Sequence, residues 1–207
     1  MKNTKYEFVP GDEIVIAPGR TLKRIRALVA ISYFASAGSL GGYIESEKSL
    51  ETTGNAWISG NAQIYGNAHI YGNAWIYGNA QISGNARIYG DARISGNAWI
   101  YGDARISGNA QISGNAQISG NTQISGNAWI YGDSLIFWAS KVGTENGTLT
   151  VYNTKDYTLE VTRGCFKGTI DEFLTASESK HDEATHREYR LLIEVAHSRI
   201  TRARSKP

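Results

Sequence analysis

"GNAWIYGNAQISGNARIYGDARISGNAWIYGDARISG", residues 72–108, is one six-residue phrase repeated without interruption. Isoleucine keeps the step of six from Ile58 to Ile136, fourteen times in all, and glycine keeps it from Gly54 to Gly132. After each of these glycines comes Asn or Asp, then Ala, with Thr122 and Ser134 the exceptions. The consensus is G-(N/D)-A-x-I-(S/Y). A helix repeats near 3.6 residues and a strand at 2, so a period of six fits neither alone. It fits a short strand followed by a corner. Ala and Ile, two apart, point to one side of that strand and the residue between them points to the other. The Gly-Asn or Gly-Asp pair turns the chain, because Gly, and next to it Asn and Asp, tolerate a positive φ. Three such sides close a triangular coil of eighteen residues. Stacked coils then bury Ile and Ala inside, which no single hexad can do.

The phrase "IYGNAH" (residues 64–69) resembles the motif of the hexapeptide-repeat family: an aliphatic residue, turn-compatible residues, a small residue and a variable one. The resemblance spans residues 54–138 and implies a left-handed parallel β-helix, here of fourteen hexads or nearly five coils. It also implies side-by-side trimers.

Composition bounds the rest. The 207 residues carry 21 Lys and Arg against 19 Asp and Glu, and neither the repeats nor the flanks hold a marked excess of either sign. That excludes a strong general polyanion binder. The single cysteine, Cys165, permits no internal disulfide and fits a reducing cytoplasm. No run approaches the ~18 apolar residues of a membrane span, and the N-terminus lacks a signal-peptide core.

Three segments follow. Residues 1–53 read as an N-terminal β cap with an irregular first coil. "LKRIRALVAIS" (22–32) is strand-like, and Ile44 and Leu50 keep the step of six while Ile58 arrives two residues late. Residues 54–138 are the β-helix. Residues 139–207 read as a small ββαα module, with strands in "GTLTVYN" and "TLEVTRGCF". Capping boxes at Thr169/Glu172 and Thr185/Glu188 start its two helices. The helices are expected to cover the open end of the coil, whose bare strand edges would otherwise pair with other chains. The "GGYIE" turn of residues 41–45 and the "RGCFKGT" run of residues 163–169 resemble segments of uncharacterised bacterial and phage β-helix proteins.

Only one letter in six, the one before each Ile, is free to vary. Stepping by eighteen sorts these letters into three faces: Trp57, Trp75, Arg93, Gln111 and Trp129; then Gln63, Gln81, Trp99, Gln117 and Leu135; then His69, Arg87, Arg105 and Gln123. Bare outward tryptophans are costly, so they either pack on a subunit or on the C-terminal module, or they bind a ligand. Trp57, Trp75, Trp99 and Trp129 are thus candidate contacts, with Arg87, Arg93 and Arg105 able to hold phosphate beside a stacked base or sugar. Hexapeptide-repeat acyltransferases keep a catalytic His near a projecting loop. These hexads have no insertion, and one coil histidine, His69, falls short of the three needed for a zinc site. In the C-terminal module Arg163, Cys165 and His181 are weaker candidates. Arg163 could acidify the thiol, or Cys165 is a small residue buried at a strand end. The basic tail, Arg199, Arg202, Arg204 and Lys206, is either solvated or a nucleic-acid contact.

The expectation is a non-enzymatic accessory protein of phage type in the bacterial cytoplasm. As a homotrimer without cofactor or metal, it would bind a host component and so inhibit a defence. Two alternatives stand beside it: a nucleotide-sequestering protein using inter-subunit Arg and aromatic grooves, and a hexapeptide-repeat acyltransferase using His69.

Overall fold

The computed structural model describes residues 3–132 and 134–205. Its centre is a parallel β-solenoid of about five coils. Thirteen strands of two or three residues, β4 to β16 in chain order, run from Trp57–Ile58 to Trp129–Tyr131, each ending on or passing through one isoleucine of the repeat. β4 to β13 each pair in parallel with the strand eighteen residues on, so Ile58 lies under Ile76, Ile76 under Ile94 and Ile94 under Ile112. Backbone bonds tie each coil to the next, as from Trp75 N–H to the Ala92 carbonyl at 2.9 Å. Ala and Ile fill the interior almost without exposure, and the three faces read from the sequence are the three sheets. Thr122, at an alanine position, is the odd residue inside: it is fully buried and its hydroxyl has no partner among the described residues.

The corners explain the glycines. From Gly54 to Gly132 every repeat glycine has φ between 66° and 85°. A Cβ at Gly108 would also stand 2.7 Å from the Gly126 nitrogen. Beside the glycines the asparagines form ladders. Asn61 Nδ2 donates to Asn79 Oδ1, Asn79 to Asn97 and Asn97 to Asn115, each coil bonding to the next.

At the N-terminal end β1 (Tyr6–Ala17) and β2 (Arg20–Ala27) form an antiparallel hairpin, and β2 pairs with β3 (Leu40–Ile44). β3 is already part of the first coil. Ile44 lies under Ile64 and Leu50 under Ile70, each twenty residues apart, so the two late residues fall between Leu50 and Ile58. This coil also supplies two carboxylates to the one above it. Glu45 accepts from Gly66 N–H at 2.6 Å and Glu51 from Gly72 N–H at 2.9 Å. The Gly72 bond holds the Glu51 carboxyl below its usual range. Gly41 and Gly42 lie against Trp57, Ile58 and Ala62, where any Cβ would collide. The Lys5 ammonium is drawn under the cap onto the Glu51 carbonyl, and burial pulls its pKa down to about 8.

At the other end the chain leaves the coil. The fourteenth isoleucine, Ile136, opens β17 (Ile136–Val142), the first strand of an antiparallel sheet with β18 (Gly147–Asn153), β19 (Leu159–Arg163) and β20 (Phe166–Thr169). Four strands thus stand where two were expected, and Leu135, assigned outward on the second face, is buried at 2% exposure. The sheet, where helices were expected, bonds to the last coil, and the end of α2 only flanks it, with Arg199, Arg202 and Ala203 sharing a hollow with Tyr131 and Leu135. Thr150 and Tyr152 hydroxyls accept from the Gln123 and Ser125 amides, and Thr162 donates to the Gln123 carbonyl. Asn153 donates to the Trp129 carbonyl. These are the strand-edge groups a further coil would have paired.

Helices α1 (Ile170–Lys180) and α2 (Glu183–Arg204) pack behind the sheet through Phe173, Tyr189, Ile193 and Ile200. Thr169 and Glu172 form the expected capping box. The second helix starts earlier than expected, capped by Asp182, and Glu188 instead accepts from the Gly143 amide of the β17–β18 turn. No helix among the described residues is long and apolar enough to cross a membrane.

Two measurements check the coil. Gly108→Ala and Gly164→Ala place the same Cβ at a positive φ, but only the first meets backbone. Gly108→Ala should lower unfolding free energy by about 1–3 kcal/mol more than Gly164→Ala in urea titrations, the cost of overpacking. Thr122→Val removes the unpaired buried hydroxyl at constant volume and should raise stability by about 1 kcal/mol.

Candidate binding cleft

The caps decide what the outward residues can do. Trp57 is not an exposed contact: it is 0% exposed, sealed under the Gly41–Gly42 backbone of the cap. Trp75 is half-buried, its ring stacked between Phe34 at 4.9 Å and Tyr77 at 4.3 Å, with Nε1 donating to Ser59. Trp129 is half-buried between Tyr131 and Tyr157. Only Trp99, on the second face, stays open at 44% exposure. A coil tryptophan is therefore covered where a cap reaches it.

On the first face this coverage leaves a cleft. Its floor is the middle of the sheet, where Arg93, Gln111 and Trp129 follow in register beyond the covered Trp75. One wall is the loop after β2, which carries Ser32, Tyr33 and Phe34 over Trp75. The other is the β18–β19 turn, which carries Lys155 and Tyr157 over Trp129. The main cavity measures about 740 Å³ and is lined by Asp91, Arg93, Asn109, Gln111, Asn127, Trp129, Lys155 and Tyr157. It continues past Asp91, Arg93 and Asn109 into a hollow of about 340 Å³ against Tyr33 and Phe34. Arg93 spans the junction and donates to the Tyr33 hydroxyl at 2.9 Å.

Both walls hold strained residues. Ser32 has φ 47° and Tyr157 φ 58°. A bulky side chain in the left-handed region costs of order 1–3 kcal/mol and persists only where the surroundings over-determine it. Around Tyr157 they do. The Thr154 and Thr158 hydroxyls bond at 2.7 Å, Thr154 N–H reaches the Thr158 carbonyl, and Lys155 N–H reaches the Asn127 carbonyl of the coil. Arg204, at the end of α2, donates to Asn153 Oδ1 at 2.8 Å and to the Thr158 carbonyl at 3.0 Å. The turn is thus pinned from behind, and Tyr157 is 55% exposed above the floor. Tyr33 is 74% exposed at the opposite end.

The third face is different. Arg87 and Arg105 are exposed neighbours in register, with His69 below and Gln123 above. Tyr71 and Tyr89 stack flat at 4.9 Å beside them, and His69 tilts onto Tyr71. Burial and the neighbouring Tyr89 raise the Tyr71 phenol above its ordinary pKa. A small hollow of about 280 Å³ joins Arg105 and Tyr89 to Cys165 of the β19–β20 turn and Lys167 of β20. Cys165 is exposed there, which overturns the reading of it as a buried strand-end residue: the turn carries it outward. Arg163 points away from the thiol, donating to the Val142 carbonyl and standing over the Tyr189 ring. His181 closes α1 and packs its ring edge-on against the same tyrosine, 5.5 Å between centroids. Arg163 and His181 therefore meet at Tyr189, and Cys165 does not join them.

Of the basic tail, Arg204 is committed to the turn, Arg199 and Arg202 are exposed, and Lys206 lies outside the described residues. Among the described residues no three of His, Cys, Asp and Glu come together to hold a metal. The first-face candidates Arg93 and Trp129 line the cleft, while Trp75 lies beneath its Phe34 wall. Trp57 does not line it either, and Trp99 lies on another face. Tyr33, Asp91, Lys155 and Tyr157 were missed. Of these only Asp91 left a trace in the sequence, as one of the few departures from Asn at the corner.

Residues 62–78, 80–96, 86–102, 92–108 and 98–114 match the YdcK beta solenoid repeat. The chain is thus a repeat-built β-helix, similar to that solenoid over the coils of residues 62–78 and 80–114. Comparison with curated proteins finds no match.

Arg204→Met tests how the cleft wall is held. It leaves Asn153 Oδ1 and the Thr158 carbonyl without their charged donor, a loss of about 1.5–3 kcal/mol. Hydrogen exchange should accelerate at residues 154–158 and stay unchanged in the coil amides of residues 75–112.

Proposed function

We propose that the chain is a non-enzymatic binding protein whose rigid solenoid holds a ligand or partner in the first-face cleft. The observation that carries this reading is the pair of strained turns, one from each cap, that present Tyr33 and Tyr157 at opposite ends of one polar floor. Concave sites with a few convergent polar groups and aromatic walls are where ligands bind, and strain at such positions is a mark of function. As an accessory protein of phage type in a bacterial cytoplasm, it would engage a host component on this face. A trimer packed through the second face would cover Trp99, the tryptophan that neither cap reaches.

The third face supports a second reading. Arg87 and Arg105 in register form a positive strip beside stacked tyrosines, which suits a nucleotide phosphate; Lys167, in the same hollow as Arg105, is paired with Glu160 at 3.2 Å.

Native mass spectrometry of the freshly purified protein, repeated after denaturation, separates the two. A bound mass should disappear in the double variant Arg93→Ala/Tyr157→Ala and persist in Arg87→Ala/Arg105→Ala. The reverse pattern moves the site to the third face and overturns the cleft reading.

A further inference from the structure

Resting on the cleft reading, we propose that its occupant is a short neutral oligosaccharide lying along the rod axis. The floor is periodic. Arg93, Gln111 and Trp129 line the cavity as successive partners in one ladder, and two strand spacings of ~4.8 Å set Arg93 and Trp129 about 10 Å apart. A pyranose in an extended glycan advances about as far as one coil, so consecutive sugars meet consecutive coils in step. An extended peptide advances only ~3.3 Å per residue and drifts out of step with the floor.

The ends suit sugar faces. Tyr33 and Tyr157 are exposed, and an aromatic ring offers a negative face to the weakly positive C–H groups of a pyranose. The floor suits hydroxyls. The Asn ladder runs from Asn73 to Asp91 at 3.0 Å and then stops, because a carboxylate cannot donate to the next residue. It resumes from Asn109 to Asn127. Among the described residues no hydrogen bond joins Asp91 to Asn109, so two acceptors stand on neighbouring coils with no donor between them. A sugar hydroxyl can donate to one and accept from Arg93 or Lys155, which line the same cavity. The charge argues the same way. Asp91 lines the cavity beside Arg93 and Lys155, partly offsetting the two cations and placing a carboxylate where a polyphosphate would be repelled.

Calorimetry with cello-, malto-, manno- and chito-oligosaccharides of one to five residues tests this, with a cyclic dinucleotide and a polar pentapeptide as comparisons. At least one neutral series should bind, tighten from one to three sugars and level off beyond. Tyr33→Ala and Tyr157→Ala should each weaken it roughly tenfold, about 1.4 kcal/mol, while Arg87→Ala leaves it unchanged. Circular dichroism and thermal melts of each variant show whether the coil is intact. For a variant that fails to fold, the milder Tyr33→Leu or Tyr157→Leu takes its place. Binding by none of the neutral series overturns the proposal, as does sugar binding that ignores both tyrosines. Should the dinucleotide or the peptide bind instead, and only with Tyr157 present, the sugar class falls while the cleft reading stands.

Discussion

Everything in this chain depends on the ladder that sets each residue over the one eighteen positions before it. The hydrogen bonds run between coils, so the shape of one coil is copied into the next. That copying makes the glycines indispensable. Each corner must hold a positive φ and also leave room for the corner above, and only a residue without Cβ does both. It also explains the composition of the interior, since an Ile that sits on an Ile in every layer needs no other shape to fill the triangle.

A ladder of this kind has no natural end, and the two caps solve that problem with different chemistry. At the start, Glu45 and Glu51 reach up to glycine amides. At the finish, a crossing sheet offers threonine and tyrosine hydroxyls and the Asn153 amide to the last strand edges. Burial raises the Tyr152 phenol, so it stays a neutral hydroxyl able to both donate and accept. Neither cap could be another coil, because a coil presents a fresh edge as fast as it covers the old one. The cleft is a by-product of this arrangement: each cap overhangs the same face and leaves the middle coils bare.

What the sequence disclosed is what the period controls. Ile58 arriving two residues late placed the irregular coil correctly, as the shift from twenty to eighteen between Leu50–Ile70 and Ile58–Ile76 shows. The composition of the three faces followed from counting. The capping box at Thr169 is local and was legible for that reason. The rest depends on what packs against what. β1 with its Pro10 and Gly11, β17 inside the last hexad and the short β20 gain their strand character from partners distant in sequence. Trp57 looks like any other outward letter until the cap covers it. Tyr33 and Tyr157 sit in turns with no period to mark them, and their importance lies in backbone strain that no spacing reveals.

The overhanging walls are anchored to opposite ends of a stack whose layers are interchangeable, and this gives the cleft a countable length. Tyr33 stands over the early layers and reaches as far as Arg93, while Tyr157 stands over Trp129 in the last. Adding one eighteen-residue unit between the Arg93 and Trp129 layers would slide the walls apart by one strand spacing while leaving the Tyr33–Arg93 and Tyr157–Trp129 contacts in place. A gene that duplicates its own repeats would therefore change the size of what it grips in fixed increments, without redesigning the grip.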